Sequence, residues 1–122
     1  MEDSIIVNGV EYVKKDNIEA PKVDGMKSVL VRSYAAGVHF GHLKSIEHTQ
    51  AGTFVTLVNT RRVHYWSGAA SLSQMAIDGV KNPDECRFSV VIPENNIQNC
   101  IEIIPLSNKA IECLNSVPVW KM

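Results

Sequence analysis

The sequence predicts an α+β fold, in which an antiparallel β-sheet (a meander) carries two helices and an N-terminal β-hairpin arm. Three observations support this prediction. Runs of alternating apolar and polar residues, separated by short turns, recur between residues 27 and 66; two short helical stripes follow serines at 67 and 107; and Asn8-Gly9 separates two short alternating runs near the N-terminus. With 122 residues and 45% hydrophobic content, the chain can bury one modest core.

The N-terminal segment is predicted to be a separate arm. Asn8-Gly9 supplies the two positive-φ residues of a type I′ turn, and a polar linker with Pro21 and Gly25 follows. We therefore divide the chain into a hairpin arm and linker, residues 1–24, and an α+β ligand-binding domain, residues 25–122. An isolated hairpin is marginally stable in water, so we expect it to pack on the body or on a neighbouring subunit.

The main sheet is predicted to begin with three sequential strands, 27–34, 38–47 and 53–66. Strand alternation places Arg61 on the face of Leu57 and Val63, and the adjacent Arg62 on the opposite face. Arg32 lies on a strand that we expect to neighbour that of Arg61.

The C-terminal half is predicted to contain two helices and two strands. Ser67 is the expected N-cap of a helix that stops near Gly79, and Ser107 caps a second short helix. Strands are expected at 87–92 and around 97–104, with a loop at 93–96 between them.

Composition narrows the classes of function. The formal net charge of −1 argues against a general binder of nucleic-acid polymers, so any anion site must be a local group of arginines, of which the chain has four. No run approaches the roughly 18 apolar residues that span a bilayer, and no signal pattern begins the chain, so we expect a cytoplasmic protein. Three widely spaced cysteines fit buried thiols in a reducing compartment.

Motifs for catalysis, metals or cofactors are weak. The His-x-x-His pair at His39 and His42 points to opposite faces of a strand, which suits no metal, and neither GxGxxG nor GxxxxGK occurs. His64 is a candidate base without a sequence neighbour to orient it. Cys86 beside Arg87 is either an activated thiol or, the interpretation that we favour, a buried one.

An anion site is the sharper hypothesis, centred on Arg61 and Arg62. Either both arginine stems cover the sheet with their heads in water, or one guanidinium binds a phosphate, with Arg32 completing a clamp. Spacing alone selects Trp66 as a stacking ring and the helix start at Ser67 as an anion seat.

Four blocks carry a family resemblance that covers about residues 26–121: RSYAAGVHFG at 32–41, RRVHYWSGAASLSQ at 61–74, IEIIP at 101–105 and VPVWK at 117–121. They resemble the first described type of Thoeris anti-defence proteins, a small, mostly phage-encoded family. The resemblance implies a sponge that binds the cyclic ADP-ribose isomer made by bacterial TIR-domain proteins without cleaving it, in an infected bacterial cell. It also implies homo-oligomers, dimers that assemble into hexamers, with signal pockets at the dimer interface and, in some members, a second site for cyclic oligonucleotides.

Carried onto this chain, the resemblance implies Arg32 and Arg61 as phosphate ligands and Ala35 in the pocket lining. It further implies Phe88 as the base-stacking ring, in preference to Trp66, Asn96 as a polar contact, and Trp120 as a contribution from the partner chain. We expect no catalytic residue, cofactor or metal. The alternatives are a protein-binding inhibitor that uses Tyr65, Trp66 and Trp120, and a hydrolase of a nucleotide signal with His64 as its base.

Overall fold

A computed structural model describes the backbone of residues 4–7, 10–13 and 25–120, and the side chains within 25–120. The fold is α+β, as the sequence predicts. Its elements in chain order are β1 (Ser4–Val7), β2 (Val10–Val13), β3 (Ser28–Ser33), β4 (Gly37–Thr49), β5 (Gly52–Tyr65), α1 (Leu72–Asp78), β6 (Arg87–Phe88), β7 (Ile92–Ile97), β8 (Cys100–Pro105) and α2 (Asn108–Asn115). Within the described part of the chain, no helix has the length and apolar character needed to cross a membrane.

The N-terminal hairpin is confirmed by its backbone. β1 and β2 pair antiparallel, and Val7 opposite Val10 leaves two residues for the turn. The predicted Asn8-Gly9 turn and the linker from residue 14 to residue 24 lie outside the described residues.

The main sheet has six antiparallel strands. β4 lies between β3 and β5, β8 forms the edge beside β3, and both β6 and β7 pair with the far edge of β5. β7 and β8 therefore lie at opposite edges, although only residues 98 and 99 separate them in sequence. Two residues span at most about 11 Å between flanking Cα atoms, whereas five flat strands measure roughly 19 Å across. The sheet must therefore curl strongly, so that its edges approach each other.

Each face of the curled sheet buries its own hydrophobic core. The first core lies between the sheet and both helices and includes Leu30, Phe40, Val63, Met75, Phe88 and Leu114. The second core lies on the opposite face, inside the curl, and consists of Val29, Val31, Val55, Leu57, Ile97 and Cys100. Both faces of β3 are consequently buried, which explains its unbroken apolar run.

A β-bulge in β5 reverses the expected assignment of faces. Asn59 adopts a left-handed backbone, φ 50°, where the register shifts between Phe40–Arg61 and His42–Val58. Leu57 therefore enters the second core while Arg61 points into the first core. The prediction that Arg61 shares a face with Leu57 is wrong, because one extra residue breaks the two-residue period. Arg61 and Arg62 still point to opposite faces.

The first helix begins later than predicted. Its N-cap is Ser71, whose hydroxyl accepts the backbone N–H of Gln74, so Ser67 caps no helix. Ser67 instead lies in an irregular turn, where its hydroxyl donates to Glu85 and accepts from the side chain of Asn82. The predicted anion seat at Ser67 is thus wrong, whereas the predicted cap at Ser107 and the helix end at Gly79 are confirmed.

The predicted loop at 93–96 is also wrong, since these residues belong to β7. Pro93 has no N–H to donate, yet β7 is an edge strand, where proline is tolerated. Neighbouring pairs join Ile92 to Thr60 and Glu94 to Val58, which leaves Pro93 level with the bulge at Asn59.

Candidate functional site

Arg61 is a buried cation held by the main chain. Its side chain is in the first core, and its residue is only 3% exposed. The guanidinium donates to the carbonyl oxygens of Ser89 (2.7 Å), Val117 (2.9 Å), Leu114 (3.3 Å) and Pro118 (3.4 Å), and its Cζ lies 5.3 Å from the ring centre of Phe88. Burial lowers the pKa of Arg61, although arginine remains charged. Arg61 therefore anchors the segment after α2 against the sheet.

The neighbouring Arg62 reaches the surface on the opposite face. Val31, His39 and Arg62 are cross-strand partners on β3, β4 and β5, so their side chains share the face of the second core. Ser89 fixes the backbone of Arg62 by two hydrogen bonds, one from its N–H and one to its hydroxyl. Among residues 25–120 no carboxylate forms a salt bridge with Arg62. Its charge is thus available to a ligand.

A cleft of ≈ 190 Å³ opens beside Arg62, on the part of β5 that lies between its pairing with β7 and its pairing with β6. We call it the cationic cleft, and it is lined by His39, Thr60, Arg61, Arg62, His64, Ser89, Val90, Ile92 and Asn95. Its formally charged lining residues are Arg62 and Arg61, of which Arg61 directs its guanidinium away into the first core. Hydroxyl, amide and imidazole groups supply the rest of its polar lining.

His39 forms the buried wall of the cationic cleft. It is only 1% exposed, and its Nε2 lies 2.9 Å from the carbonyl oxygen of Ala36. Burial lowers the pKa of His39, and electrostatic interactions with Arg62 and His64 lower it further, against an opposing effect of the bond to Ala36. His39 is therefore held neutral next to a cation.

Beside His64, at one end of the cationic cleft, two aromatic side chains and the cation of Arg87 lie close together. The ring of His64 lies 5.4 Å from that of Trp120, and the Arg87 guanidinium lies 5.3 Å from Trp120 and 5.9 Å from Tyr65. Tyr65 and Trp120 are about half exposed, and the backbone N–H of Trp120 donates to Phe88. Trp66 is half-buried against the first core and donates its indole N–H to Ala69.

The structure separates the two arginines that the resemblance pairs. Arg32 and Arg61 share the face of the first core, but β4 lies between their strands, so the expectation of neighbouring strands is wrong. Arg32 is exposed and donates its Nε–H to Glu102 at 3.0 Å. Their roles as phosphate ligands stay a prediction.

The other residues implied by the resemblance are dispersed. Ala35 lies exposed in the turn between β3 and β4, and Phe88 is fully buried, edge-on to Phe40. Asn96 accepts a hydrogen bond from Thr56 at 2.7 Å. The cationic cleft contains its neighbour Asn95 instead.

A second cleft, of ≈ 220 Å³, lies around Asn96 and includes Phe54, Thr56 and Gln98. Its only formally charged lining residue is Glu47. An anion would be repelled there, so the sign of the charge favours the cationic cleft for an anionic ligand.

Of the residues selected from sequence, the cationic cleft brings together Arg61, Arg62 and the candidate base His64. Sequence reasoning missed His39, Thr60, Ser89 and Asn95. Their proximity depends on the register of β4 and β7 against the bulged strand β5, and no local pattern in the sequence encodes that register.

Thiols and metal ligands give no second site of this kind. Burial raises the pKa of Cys86, whose thiol contacts the carbonyls of Ser67 and Asn82, so the activated-thiol interpretation is wrong. Burial likewise raises the pKa of Cys100. Over the described ranges no three His, Cys, Asp or Glu residues cluster as metal ligands would.

Comparison with known proteins identifies a family. The family described as a domain of unknown function (DUF6948) matches residues 26–114, which contain the main sheet, α1, all but the last residue of α2, and the cationic cleft. Neither the curated proteins nor the solved structures yielded a match to this chain.

Proposed function

The chain belongs to the family described as a domain of unknown function (DUF6948), and from the cationic cleft we propose that it binds a small nucleotide-type anion. With the sequence resemblance, the proposed ligand is a cyclic ADP-ribose isomer made by a TIR-domain protein. The chain holds this signal without cleaving it, in the cytoplasm of an infected bacterial cell, and so keeps it from the immune effector.

The observation that carries this proposal is the unpaired positive charge in the cleft. The protein as a whole is slightly acidic, yet Arg62 places a guanidinium without a carboxylate partner at the cleft, and no described acidic residue lines it. A guanidinium without a carboxylate partner can bind a phosphate through two N–H groups, and such charge-assisted bonds are stronger than neutral ones. A focused site of this size suits a small dianion better than a polymer.

The size of the cleft supports a shared site. Pockets that enclose a whole small molecule typically measure about 300–1,000 Å³, whereas the cationic cleft measures ≈ 190 Å³. It can therefore enclose a phosphate with one ribose, and we propose that a second copy of the chain covers the rest of the ligand. Light scattering tests this part: ligand-bound protein is expected to be at least a dimer, and a ligand-bound monomer contradicts it.

Binding without cleavage is the central test. Purified protein is mixed with cyclic ADP-ribose isomers, washed, heated and analysed by mass spectrometry. We expect intact cyclic ligand in the released fraction. Recovery of linear ADP-ribose would instead support a hydrolase, for which the substitution of His64 is the next experiment.

The site itself is tested by charge deletion and titration calorimetry. Arg62→Ala is expected to weaken binding about 10- to 100-fold, because a hydrogen bond to a charged group contributes about 1.5–3 kcal/mol. Lys109→Ala, on α2 at the other face of the sheet, removes the same charge and is expected to leave binding unchanged. If Arg32→Ala abolishes binding while Arg62→Ala does not, the site lies on the face of the first core and the cationic cleft is the wrong location.

A protein-binding inhibitor is the second candidate, favoured by the exposed rings of Tyr65 and Trp120 with Arg87 between them. These three residue types are enriched at the energetic centres of protein interfaces. A nucleotide panel that gives no thermal shift, together with a captured host protein that is lost on Trp120→Ala, would favour this candidate.

A further inference from the structure

We propose that His39 is a ribose-recognising residue of the cationic cleft, whose Nδ1 accepts a hydrogen bond from a ligand hydroxyl group. This inference rests on the proposed function and deepens it. It identifies the part of the ligand that contacts His39, next to the phosphate on Arg62, as a ribose. A single hydroxyl group of this ribose then determines specificity.

The first step fixes the tautomer of the imidazole. A carbonyl oxygen only accepts, so the 2.9 Å contact with Ala36 requires a proton on Nε2 of His39. Burial beside a cation keeps the ring neutral. The remaining ring nitrogen, Nδ1, is then an acceptor with a free lone pair.

The second step concerns the partner of Nδ1. Within residues 25–120, Nδ1 of His39 has no hydrogen-bond donor, although the residue is 99% removed from solvent. The hydroxyls that line the cleft donate elsewhere: Thr60 to the carbonyl of Phe40 at 2.8 Å and Ser89 to that of Val90 at 2.9 Å. Nδ1 is therefore open to a ligand in the cleft that brings a hydroxyl donor.

The third step combines this acceptor with the charge of the cleft. Arg62 can bind an anion, and His39, the cross-strand partner of Arg62, can accept a hydrogen bond from a hydroxyl group. A ribose phosphate carries both groups close together, whereas inorganic phosphate lacks the sugar hydroxyls. The site therefore distinguishes a ribonucleotide from an analogue that lacks one hydroxyl.

The test uses calorimetric titration of the full chain with cyclic ADP-ribose and its single-deoxy analogues, one for each ribose hydroxyl. We expect one analogue to bind the unmodified protein about 5-fold more weakly, the effect of one neutral hydrogen bond. His39→Gln places an amide N–H near Ala36 but no acceptor at the position of Nδ1, so it should bind that analogue and the parent ligand equally. His39→Asn keeps an acceptor near the position of Nδ1 and should preserve the preference.

Thermal unfolding of each variant confirms that it is folded before titration. The inference is overturned if every analogue binds the unmodified protein within twofold of the parent, or if His39→Gln retains the preference. In that case a loss of binding in Arg62→Ala still supports the proposed function. Absence of any binding by the unmodified protein overturns the function and the ribose contact together.

Discussion

At the scale of single residues, the adjacent arginines have opposite tasks because they lie on opposite faces of β5. Arg61→Ala removes one donor from each of four carbonyl oxygens, three of them in α2 and the segment after it, and leaves a void against Phe88. Each unsatisfied buried carbonyl costs about 1–3 kcal/mol, so we expect a loss of at least about 2 kcal/mol in the free energy of unfolding. Urea denaturation measures it.

Arg62→Ala is the matched control for this prediction. Its side chain is exposed and forms no side-chain hydrogen bond or salt bridge within residues 25–120, so the free energy of unfolding should change by no more than about 0.5 kcal/mol. Equal destabilisation by the two substitutions would contradict the division of tasks between anchor and ligand contact.

The neutral His39 makes stability depend on pH. Its pKa in the folded protein is lowered, mainly by burial, from its ordinary value of 6.5. Below about pH 6.5 the unfolded chain binds a proton at His39 that the folded protein does not bind. The contribution of His39 to the free energy of unfolding is therefore fully present above about pH 6.5 and is lost as the pH decreases. His39→Gln should therefore lose less stability than the unmodified protein between about pH 7 and 5 in denaturation series. Because His42 also has a lowered pKa and is present in both proteins, only the difference reports on His39.

At the scale of elements, the bulge at Asn59 decides which residues form the cleft. A left-handed φ of 50° suits asparagine or glycine and strains a β-branched residue. We expect Asn59→Gly to change the free energy of unfolding by no more than about 0.5 kcal/mol, whereas Asn59→Val should lower it by about 1–2 kcal/mol. Equal melting midpoints for the two variants would show that the bulge relaxes.

The helix caps provide a second test at this scale. Ser107 accepts the N–H of Ala110 and donates to the carbonyl of Ile77 at 2.6 Å, so it caps α2 and joins it to α1. Ser107→Ala should cost about 1–2 kcal/mol and Ser71→Ala about 1 kcal/mol. Ser67→Ala removes no cap and should cost less than either, as measured by thermal denaturation.

The same elements show how far local patterns determine the fold. Ser107, Gly79 and the Asn8-Gly9 spacing are local signals, and the sequence predicts their elements correctly. The bulge lies where β4 and β5 approach each other closely. A Cβ on Gly41 would be 2.8 Å from the Cβ of Thr60, and this contact depends on the tertiary pairing of the strands. The strand that contains Pro93, β7, could not be predicted for the same reason, because it forms by pairing with β5, which is distant in sequence.

At the scale of the whole molecule, the fold class could be predicted but the site could not be. Alternation identifies strands without giving their order, so Arg32 and Arg61 were expected on adjacent strands that β4 in fact separates. The cationic cleft forms where β4, β5 and β7 meet, and its residues lie between 39 and 95 in the sequence. Such a site becomes visible only with the register of the sheet.

Removal of residues 1–24 tests the predicted division into arm and domain. The described backbone of β1 and β2 forms a sheet of its own, and both cores draw on residues between 29 and 117. The melting midpoint of residues 25–122 should therefore stay within about 4 °C of the full chain. A decrease of more than about 10 °C would show that the arm packs on the body.

The two-residue link between β7 and β8 has a consequence for synthesis on the ribosome. Of the main sheet, β3, β4 and β5 emerge first and can pair locally, yet the outer edges of β3 and β5 have no partner until residues 87–105 follow. Pairing over such sequence separations is slow, and exposed strand edges invite association between chains. The nascent chain is therefore most prone to aggregation immediately before its last strands are made, and one short connection then brings partners to both edges of the sheet before α2 completes the first core.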